Sequence, residues 1–176
     1  HLIRTLANSE TYQRSAWTTP DRPAEKDTFA WALEKPLTAE MVYRSLLVAC
    51  GHDSRQPEIE GLDMEALRQS FIKFFPDVLP VDYNASLQQA MFLTNSPLVD
   101  ALLNPSENNT TQSLLREKNT HQKVKQAFLH VFGRWPDEEE LAATADFLNQ
   151  KEDRPKEAIK QMLWAMVASA EFLTNH

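Results

Sequence analysis

Apolar residues form their clearest pattern near the C-terminal end of the chain, in residues 155–176. They recur there at steps of three and four residues, so they lie on one face of a predicted helix. Further apolar residues widen this face until only a narrow polar strip remains. Such a helix must be covered by neighbours, and we therefore predict that the last helix is the central one. The recurring residues are Ile159, Met162, Leu163, Met166, Ala170 and Leu173, and the polar strip holds Lys160, Gln161, Trp164, Glu171 and Asn175.

Helical periods and capping residues predict several further helices. Thr38 and Ser96 are preferred N-cap residues, and a proline follows Ser96 at the first helical position. Asp137 and Glu140 form a capping-box pattern at the start of another helix. Gly51 follows a helical run at the position where a left-handed residue is favoured. The predicted helices cover residues 2–7, 38–50, 63–75, 87–95, 97–103, 120–132, 137–150 and 155–176.

The segment 104–119 is the most polar part of the chain, with Asn-Asn-Thr-Thr at its centre. We expect an exposed loop there, with one short helix near Leu114. The chain has only 3 glycines against 10 prolines, which favours helices joined by proline-rich connections over hairpins. These patterns predict an all-α fold, an irregular bundle of about six to eight helices around the C-terminal helix.

Length and composition are typical of one globular domain over residues 1–176, with 42% apolar and 24% charged residues. Because the chain begins with His1, we expect it to be a C-terminal fragment of a larger multi-domain protein. The net charge of −7 argues against nucleic-acid binding, which needs a cationic surface. No apolar run is long enough to predict a membrane span. The oligomeric state is left open.

Cofactor and metal signals are absent from the sequence. Cys50 is the single cysteine, so the chain holds no CxxC zinc pair and no CxxCH haem attachment, and we predict a small buried residue there. The 5 histidines show no metal-ligand spacing. We therefore predict no metal and no cofactor in this chain. Glu138, Glu139 and Glu140 are explained by helix capping and the helix dipole.

Glu171 on the polar strip is the most informative candidate, because a partly buried carboxylate needs a hydrogen-bonding or cationic partner. Arg4, Arg44 and Arg134 are partners by residue type, and the sequence does not choose among them. One interpretation is a structural hydrogen bond that fixes helix register, and the other is a binding pocket. The catalytic candidates are Glu171, His176 and Tyr12, and the binding candidates are Trp164, Asn175 and Arg4.

Five stretches of the chain, taken together and in order, carry a family resemblance. They are residues 9–13 (SETYQ), 35–51, 86–97, 132–141 (FGRWPDEEEL) and 163–176 (LWAMVASAEFLTNH). With this order and spacing the chain resembles the domain of unknown function, family 1553, over essentially its whole length. Residues 74–83 depart from the family pattern, because prolines stand where an arginine-containing stretch is expected. A contact that the family makes through that stretch is in doubt here.

The resemblance implies the C-terminal part of a large planctomycete secreted protein, often associated with a planctomycete cytochrome c module. It therefore implies an extracytoplasmic location, periplasmic or secreted. Any haem would belong to another module of the parent, and the implied partners are the upstream domains of the same polypeptide. No catalytic residues are established for the family, so the resemblance assigns none.

Two main hypotheses of function follow. The first is a helical accessory or interaction module of a large extracytoplasmic protein, without chemistry of its own. The alternative is part of an enzyme that acts on extracellular polysaccharide, with a site shared with the preceding domain. Glu171→Gln in the full-length parent separates them, since it would abolish turnover only in the second case. A third hypothesis, a cytoplasmic regulatory bundle, is excluded if the parent gene encodes a signal peptide.

Overall fold

Helix boundaries in the computed structural model follow the capping signals of the sequence. The structure describes residues 1–10, 35–55, 57–75, 92–93 and 95–175, and these hold nine helices and one ladder of two short strands. The prediction of an all-α fold is confirmed. The helices are α1 (Leu2–Ala7), α2 (Ala39–Ala49), α3 (Met64–Phe74), α4 (Pro97–Leu103), α5 (Thr110–Arg116), α6 (Thr120–Phe132), α7 (Glu138–Asn149), α8 (Pro155–Val167) and α9 (Ala170–Leu173), and the strands are β1 (Lys35–Pro36) and β2 (Thr174–Asn175).

Side-chain caps fix the helix starts, as the sequence predicted. The Thr38 hydroxyl accepts from the backbone N–H of Met41, at 3.4 Å, and Ser96 caps α4 in the same way. At the start of α7, Asp137 and Glu140 complete both halves of a capping box. These interactions satisfy N–H groups that the first helical turn leaves unpaired. Local chemistry therefore sets where the helices begin.

Helix α8 lies at the centre of the bundle, in contact with α4, α5, α6, α7 and α9. The prediction of a central C-terminal helix is confirmed for this segment. Helix α6 shares the central position, because it contacts α2, α5, α7, α8 and α9. Its buried residues lie at helical spacing on one face. The buried residues of α8 are Ala158, Ile159, Met162, Leu163, Met166 and Val167, and those of α6 are Val124, Ala127, Phe128 and Val131.

The predicted helix over residues 155–176 is wrong beyond Val167. Ala168 ends α8, and Ser169 takes an extended conformation, with φ −74° and ψ 156°. The Ser169 hydroxyl accepts from the N–H of Phe172 at 3.3 Å and so starts α9. Strand β2 follows at once and pairs antiparallel with β1. The break removes the continuous helical face on which Trp164 and Glu171 were predicted to lie together.

The expectation of an exposed loop over 104–119 is also wrong at its centre. Asn109, Thr110 and Thr111 are only 1, 2 and 1% exposed, and we call them the polar knot. The Asn109 amide donates to the Asn104 carbonyl at 2.7 Å, and the Thr111 hydroxyl donates to the Leu103 carbonyl at 2.9 Å. The side chains of Asn109 and Thr111 can be buried because they form hydrogen bonds with backbone groups at the end of α4 and the start of α5.

The polar knot packs against the end of α2. The Thr110 N–H donates to the Cys50 carbonyl at 3.0 Å. Gly51 has φ +81°, and a Cβ atom built on it would lie 2.7 Å from the Thr110 nitrogen. Glycine is therefore required there for both its conformation and its small size. Cys50 is buried as predicted, and burial raises the pKa of its thiol to about 12.

Candidate functional site

Glu171, the main candidate from the sequence, is bound by Arg134. The Arg134 Nε donates to Glu171 Oε1 at 2.6 Å, and its Nη2 donates to Glu171 Oε2 at 2.8 Å. Of the three arginines considered, Arg134 is thus the partner. Arg44 pairs with Glu40 on its own helix at 2.9 Å, and Arg4 lies exposed on α1. A bidentate pair of this kind fixes the orientation of both side chains.

Glu140 binds the same guanidinium from the other side. It accepts from Arg134 Nη1 at 2.8 Å and from Nη2 at 2.7 Å. Its Oε2 also accepts from the backbone N–H of Asp137 at 2.9 Å. The sequence assigned Glu140 only a role in helix capping. In the structure it also binds Arg134. We call Arg134, Glu140 and Glu171 the Arg134 cluster.

The chain reaches this arrangement through local turns. Gly133 ends α6 in the left-handed conformation, with φ +71°, so the chain turns immediately before Arg134. Asp137 caps α7 and places Glu140 in its first turn, and Ser169 caps α9 and places Glu171 in its first turn. Carboxylates are favoured at helix N-termini, where the backbone carries partial positive charge. Arg134 thus links the starts of two helices.

Hydrogen bonds within the Arg134 cluster favour the charged forms of Arg134 and Glu140. The hydrogen bonds from Arg134 lower the pKa of the Glu140 carboxyl below its ordinary value. Burial raises this pKa to a smaller extent, and the hydrogen bond from the Asp137 N–H lowers it. The hydrogen bonds that Arg134 donates to Glu140 and Glu171 raise the pKa of its guanidinium. The three side chains are 34, 31 and 23% exposed, so water also solvates the charges. The cluster is a charged, partly solvated group rather than a buried ion pair.

Aromatic rings join the Arg134 cluster to an apolar groove. The Arg134 guanidinium carbon lies 5.4 Å from the ring centroid of Phe128 and 5.5 Å from that of Phe132. At these distances the cation is attracted to the ring faces. The same two rings line one wall of the groove. The charged cluster and the groove are therefore parts of one surface.

The groove lies between α6, α7 and α8 and has a volume of about 730 Å³. It is open to solvent, and Phe147 on α7 and Trp164 on α8 are among its lining residues. Ala143 and Ala165 lie exposed in the seam between those two helices. The groove exists because these small side chains stand where larger ones would fill the space. Ala165 was predicted to belong to the buried face of the last helix, and that prediction is wrong.

Trp164, predicted as a binding residue, lies in the groove wall and is half-buried. Its indole Nε1 donates to the Leu93 carbonyl at 3.0 Å, which satisfies the polar end of the ring and fixes it. Trp164 also borders a second depression of about 400 Å³, beside Asp100 and Lys160. Lys160 donates to Asp100 at 2.7 Å and to Asn104 at 2.8 Å. Its charge is thus already paired.

The other candidates do not meet in this site. The Asn175 backbone pairs with Lys35 in the two-strand ladder. Arg4 forms no ion pair with any residue that the structure describes. Tyr12 and His176 lie outside the described residues. The predicted pocket that combines Tyr12, Trp164, Glu171 and His176 therefore stays a prediction.

The sequence contained signals for the residues that were missed. Glu140, Ala143 and Phe147 recur at steps of three and four, so they share one face of α7. Arg134 was one of three candidate partners of Glu171, and the signal that could have selected it is its position between a helix-ending glycine and a helix-starting aspartate. The groove itself could not be read from periodicity, because alanine fits an exposed and a buried face equally well.

Within residues 1–10, 35–55, 57–75, 92–93 and 95–175, no group of three or more histidine, cysteine or acidic side chains is placed to hold a metal ion. No helix in this part of the chain is both long and apolar enough to cross a bilayer. Comparison of the chain with family models, with curated proteins and with solved structures finds no match.

Proposed function

We propose that this chain is a helical interaction module and that the groove between α6, α7 and α8 binds an apolar segment of a partner. The observation that carries the proposal is the groove itself, an open and largely apolar depression with a volume of about 730 Å³. Largely apolar depressions of this volume are characteristic of binding sites. The rings of Phe147 and Trp164 supply the aromatic contacts that dominate binding energy at interfaces.

The Arg134 cluster supports a binding role over a catalytic one. Both Glu171 oxygens accept hydrogen bonds from Arg134, and both Glu140 oxygens do the same. A general acid or base needs a proton-transfer group that faces a substrate, with a pKa near the working pH. Here the pKa of Glu140 is moved the other way, below its ordinary value. Arg134 fixes the orientation of Glu140 and Glu171, and these two side chains place charged groups at one end of the groove.

The proposed partner is an upstream domain of the same polypeptide, in an extracytoplasmic protein. The support is the resemblance to the domain of unknown function, family 1553, which implies both. The net charge of −7 is consistent with a protein partner and disfavours nucleic acid.

The test fills the groove without disturbing the core. Ala143→Leu places a large side chain in the seam, and Ala142→Leu adds the same side chain to an exposed position of α7 outside the groove. Binding of each variant to the remaining domains of the parent, produced separately, is measured by calorimetry. We expect Ala143→Leu to weaken binding by about tenfold or more, and Ala142→Leu to change it less than about twofold.

Two results would overturn the proposal. Equal affinity of the Ala143→Leu and Ala142→Leu variants would show that the partner does not use the groove. Absence of any binding by the wild-type chain to the remaining domains would remove the proposed partner. Circular dichroism of each variant confirms that α7 is intact, so that a loss of binding is not a loss of fold.

A further inference from the structure

We infer that the partner segment bound in the groove carries an acidic residue, and that its carboxylate lies beside Lys151. This inference rests on the proposed function and specifies the chemistry of the partner. It depends on where Lys151 lies, on how its side chain is held, and on the lack of a carboxylate partner for it among the described residues.

Lys151 lies at one end of the groove. Phe147 is the last residue of α7 that lines the groove, and Gln161 is the first of α8. The Lys151 Nζ lies 4.8 Å from the ring centroid of Phe147 and donates to Gln161 Oε1 at 2.7 Å. The ammonium group therefore connects the two helices at the place where an occupant of the groove would meet it.

The turn between α7 and α8 holds Lys151 in place. Its N–H donates to the Leu148 carbonyl at 3.2 Å, and its carbonyl accepts from the Arg154 N–H at 3.0 Å. Its side chain is half-buried and is directed by the contacts with Phe147 and Gln161. Because these contacts already order the side chain, binding to a carboxylate costs it less conformational entropy than binding costs a free surface lysine.

The charge of Lys151 is not balanced by a carboxylate of the described residues. None of the ion pairs that these residues form includes it. Of the two acidic residues that follow it, Asp153 pairs with Arg154 at 3.1 Å, and Glu152 lines a separate depression. Gln161, which accepts the hydrogen bond from Lys151, is neutral. Lys151 is therefore a cation with neutral partners at the edge of an apolar surface.

An occupant of the groove would change the surroundings of this cation. An apolar segment that covers Phe147 also removes water from the ammonium group that lies over its ring. A charge that loses water without gaining a partner costs free energy, and a carboxylate is the partner that compensates best. The ammonium group has three N–H donors, so the bond to Gln161 leaves two for this carboxylate. A partner with an acidic residue here is favoured, and one with a basic residue is disfavoured.

The first experiment measures the affinity of Lys151 variants for the remaining domains of the parent, by calorimetry at low salt. We expect Lys151→Gln to weaken binding by about two- to fivefold, the range of one exposed ion pair. Lys151→Glu should weaken it by about tenfold or more, because it places two like charges together. Lys151→Arg should restore most of the affinity, since arginine keeps both the charge and the contact with the ring.

Lys118→Glu is the matched control for the change in net charge. Lys118 is exposed and lines a separate depression, and its replacement alters the charge of the chain as much as Lys151→Glu does. We expect this variant to change the affinity less than about twofold. High salt should reduce the difference between the wild-type chain and Lys151→Gln, because it screens exposed charges.

The second experiment identifies the carboxylate by a zero-length cross-link. A water-soluble carbodiimide activates a carboxyl group, and a lysine amine in contact with that group then displaces the activating agent and forms an amide. In the complex of the wild-type chain with the remaining domains, mass spectrometry should find Lys151 joined to an aspartate or glutamate of the partner. Lys151→Arg should bind without forming this cross-link, since a guanidinium is not coupled. Absence of the cross-link in the wild-type complex would overturn the inference.

Failure of this inference is distinguishable from failure of the proposed function. If Ala143→Leu weakens binding while Lys151→Glu and Lys118→Glu weaken it equally, the groove is used without recognition of charge, and the inference is overturned alone. If Ala143→Leu and Ala142→Leu bind equally well, the proposed function falls and the inference falls with it.

Other occupants of the groove give different results. If the wild-type chain binds laurate but not the remaining domains, and Lys151→Glu abolishes that binding, the carboxylate belongs to a free amphiphile and both proposals fall. If the wild-type chain forms a dimer in sedimentation velocity that Ala143→Leu abolishes, the occupant is a second copy, and both proposals fall as well.

Discussion

The polar knot and the Arg134 cluster are two polar centres that differ in charge and in burial. The polar knot is neutral and at most 2% exposed, and its bonds satisfy backbone groups at helix ends. The Arg134 cluster is ionic, between 23 and 34% exposed, and borders an open groove. Burial raises the cost of an unpaired polar group, whereas exposure reduces the stability that an ion pair provides. We therefore expect stability to depend on the knot, and recognition to depend on the cluster.

The largest expected effect is a substitution against the polar knot. Gly51→Ala meets both an unfavourable left-handed conformation and a contact at 2.7 Å with the Thr110 nitrogen. We expect a loss of about 3–5 kcal/mol in the free energy of unfolding. Gly61→Ala is the matched control, because Gly61 has φ +79° but nothing within 4 Å of its added Cβ.

The control variant should lose only about 1–2 kcal/mol, the cost of the backbone conformation. Urea denaturation of both variants measures the difference. Equal losses would show that the close approach of Gly51 to the polar knot does not contribute to stability, and the contrast between the two centres would then be weaker.

An intermediate effect is expected within the polar knot itself. Thr111→Val removes the hydrogen bond to the buried Leu103 carbonyl, and we expect it to cost about 1–2 kcal/mol. Thr110→Val removes a buried hydroxyl that has no hydrogen-bond partner among the described residues. Because that hydroxyl gains nothing on burial, its replacement should be neutral within about 0.5 kcal/mol or stabilising. Thermal unfolding of the two variants measures their change in stability. A larger loss of stability for Thr110→Val than for Thr111→Val would contradict this prediction.

The smallest effect concerns the Arg134 cluster and pH. The pKa of Glu140 is lower in the folded chain than its ordinary value, so the unfolded chain binds the proton first as the pH falls. The stability that this shift provides is present above the ordinary glutamate pKa and is lost as the pH drops through the folded value. Because Glu140 is about one-third exposed, we expect a contribution below about 1 kcal/mol.

Glu140→Gln isolates this contribution. The difference in unfolding free energy between the wild-type chain and the variant should be larger at about pH 6 than at about pH 3. Contributions of acidic groups that lie away from Glu140 cancel in this difference. A difference that is constant over this pH range would show that Glu140 acts only through its capping hydrogen bond.

Prediction from the sequence succeeded where the physical cause is local. The caps at Thr38 and Asp137 and the left-handed Gly51 each depend on a few neighbouring residues, and all were predicted correctly. The central position of α8 also followed, because its apolar face is too wide to be left exposed. The helix end at Val167 was missed since the apolar period continues past it, although Ser169 is a preferred N-cap residue.

Prediction failed where the cause is a contact between distant parts of the chain. Arg134 and Glu171 are 37 residues apart, and residue type alone could not select Arg134 over Arg4 or Arg44. The residues of the polar knot were predicted to be exposed because asparagine and threonine are usually found at the surface. They are buried because they pack against Gly51, a contact that the sequence does not reveal. The groove depends on the relative positions of Ala143 and Ala165 on two helices, which no single periodic pattern encodes.

The short length of α9 gives the Arg134 cluster a further role in local unfolding. A helix of 4 residues is not stable by itself, so α9 depends on its neighbours for its structure. Arg134 ties Glu171, in its first turn, to Glu140 on the longer helix α7. Because Phe172 and Leu173 are also buried, loss of that tie should loosen only the first turn of α9. Faster amide hydrogen exchange in that turn would report the loss.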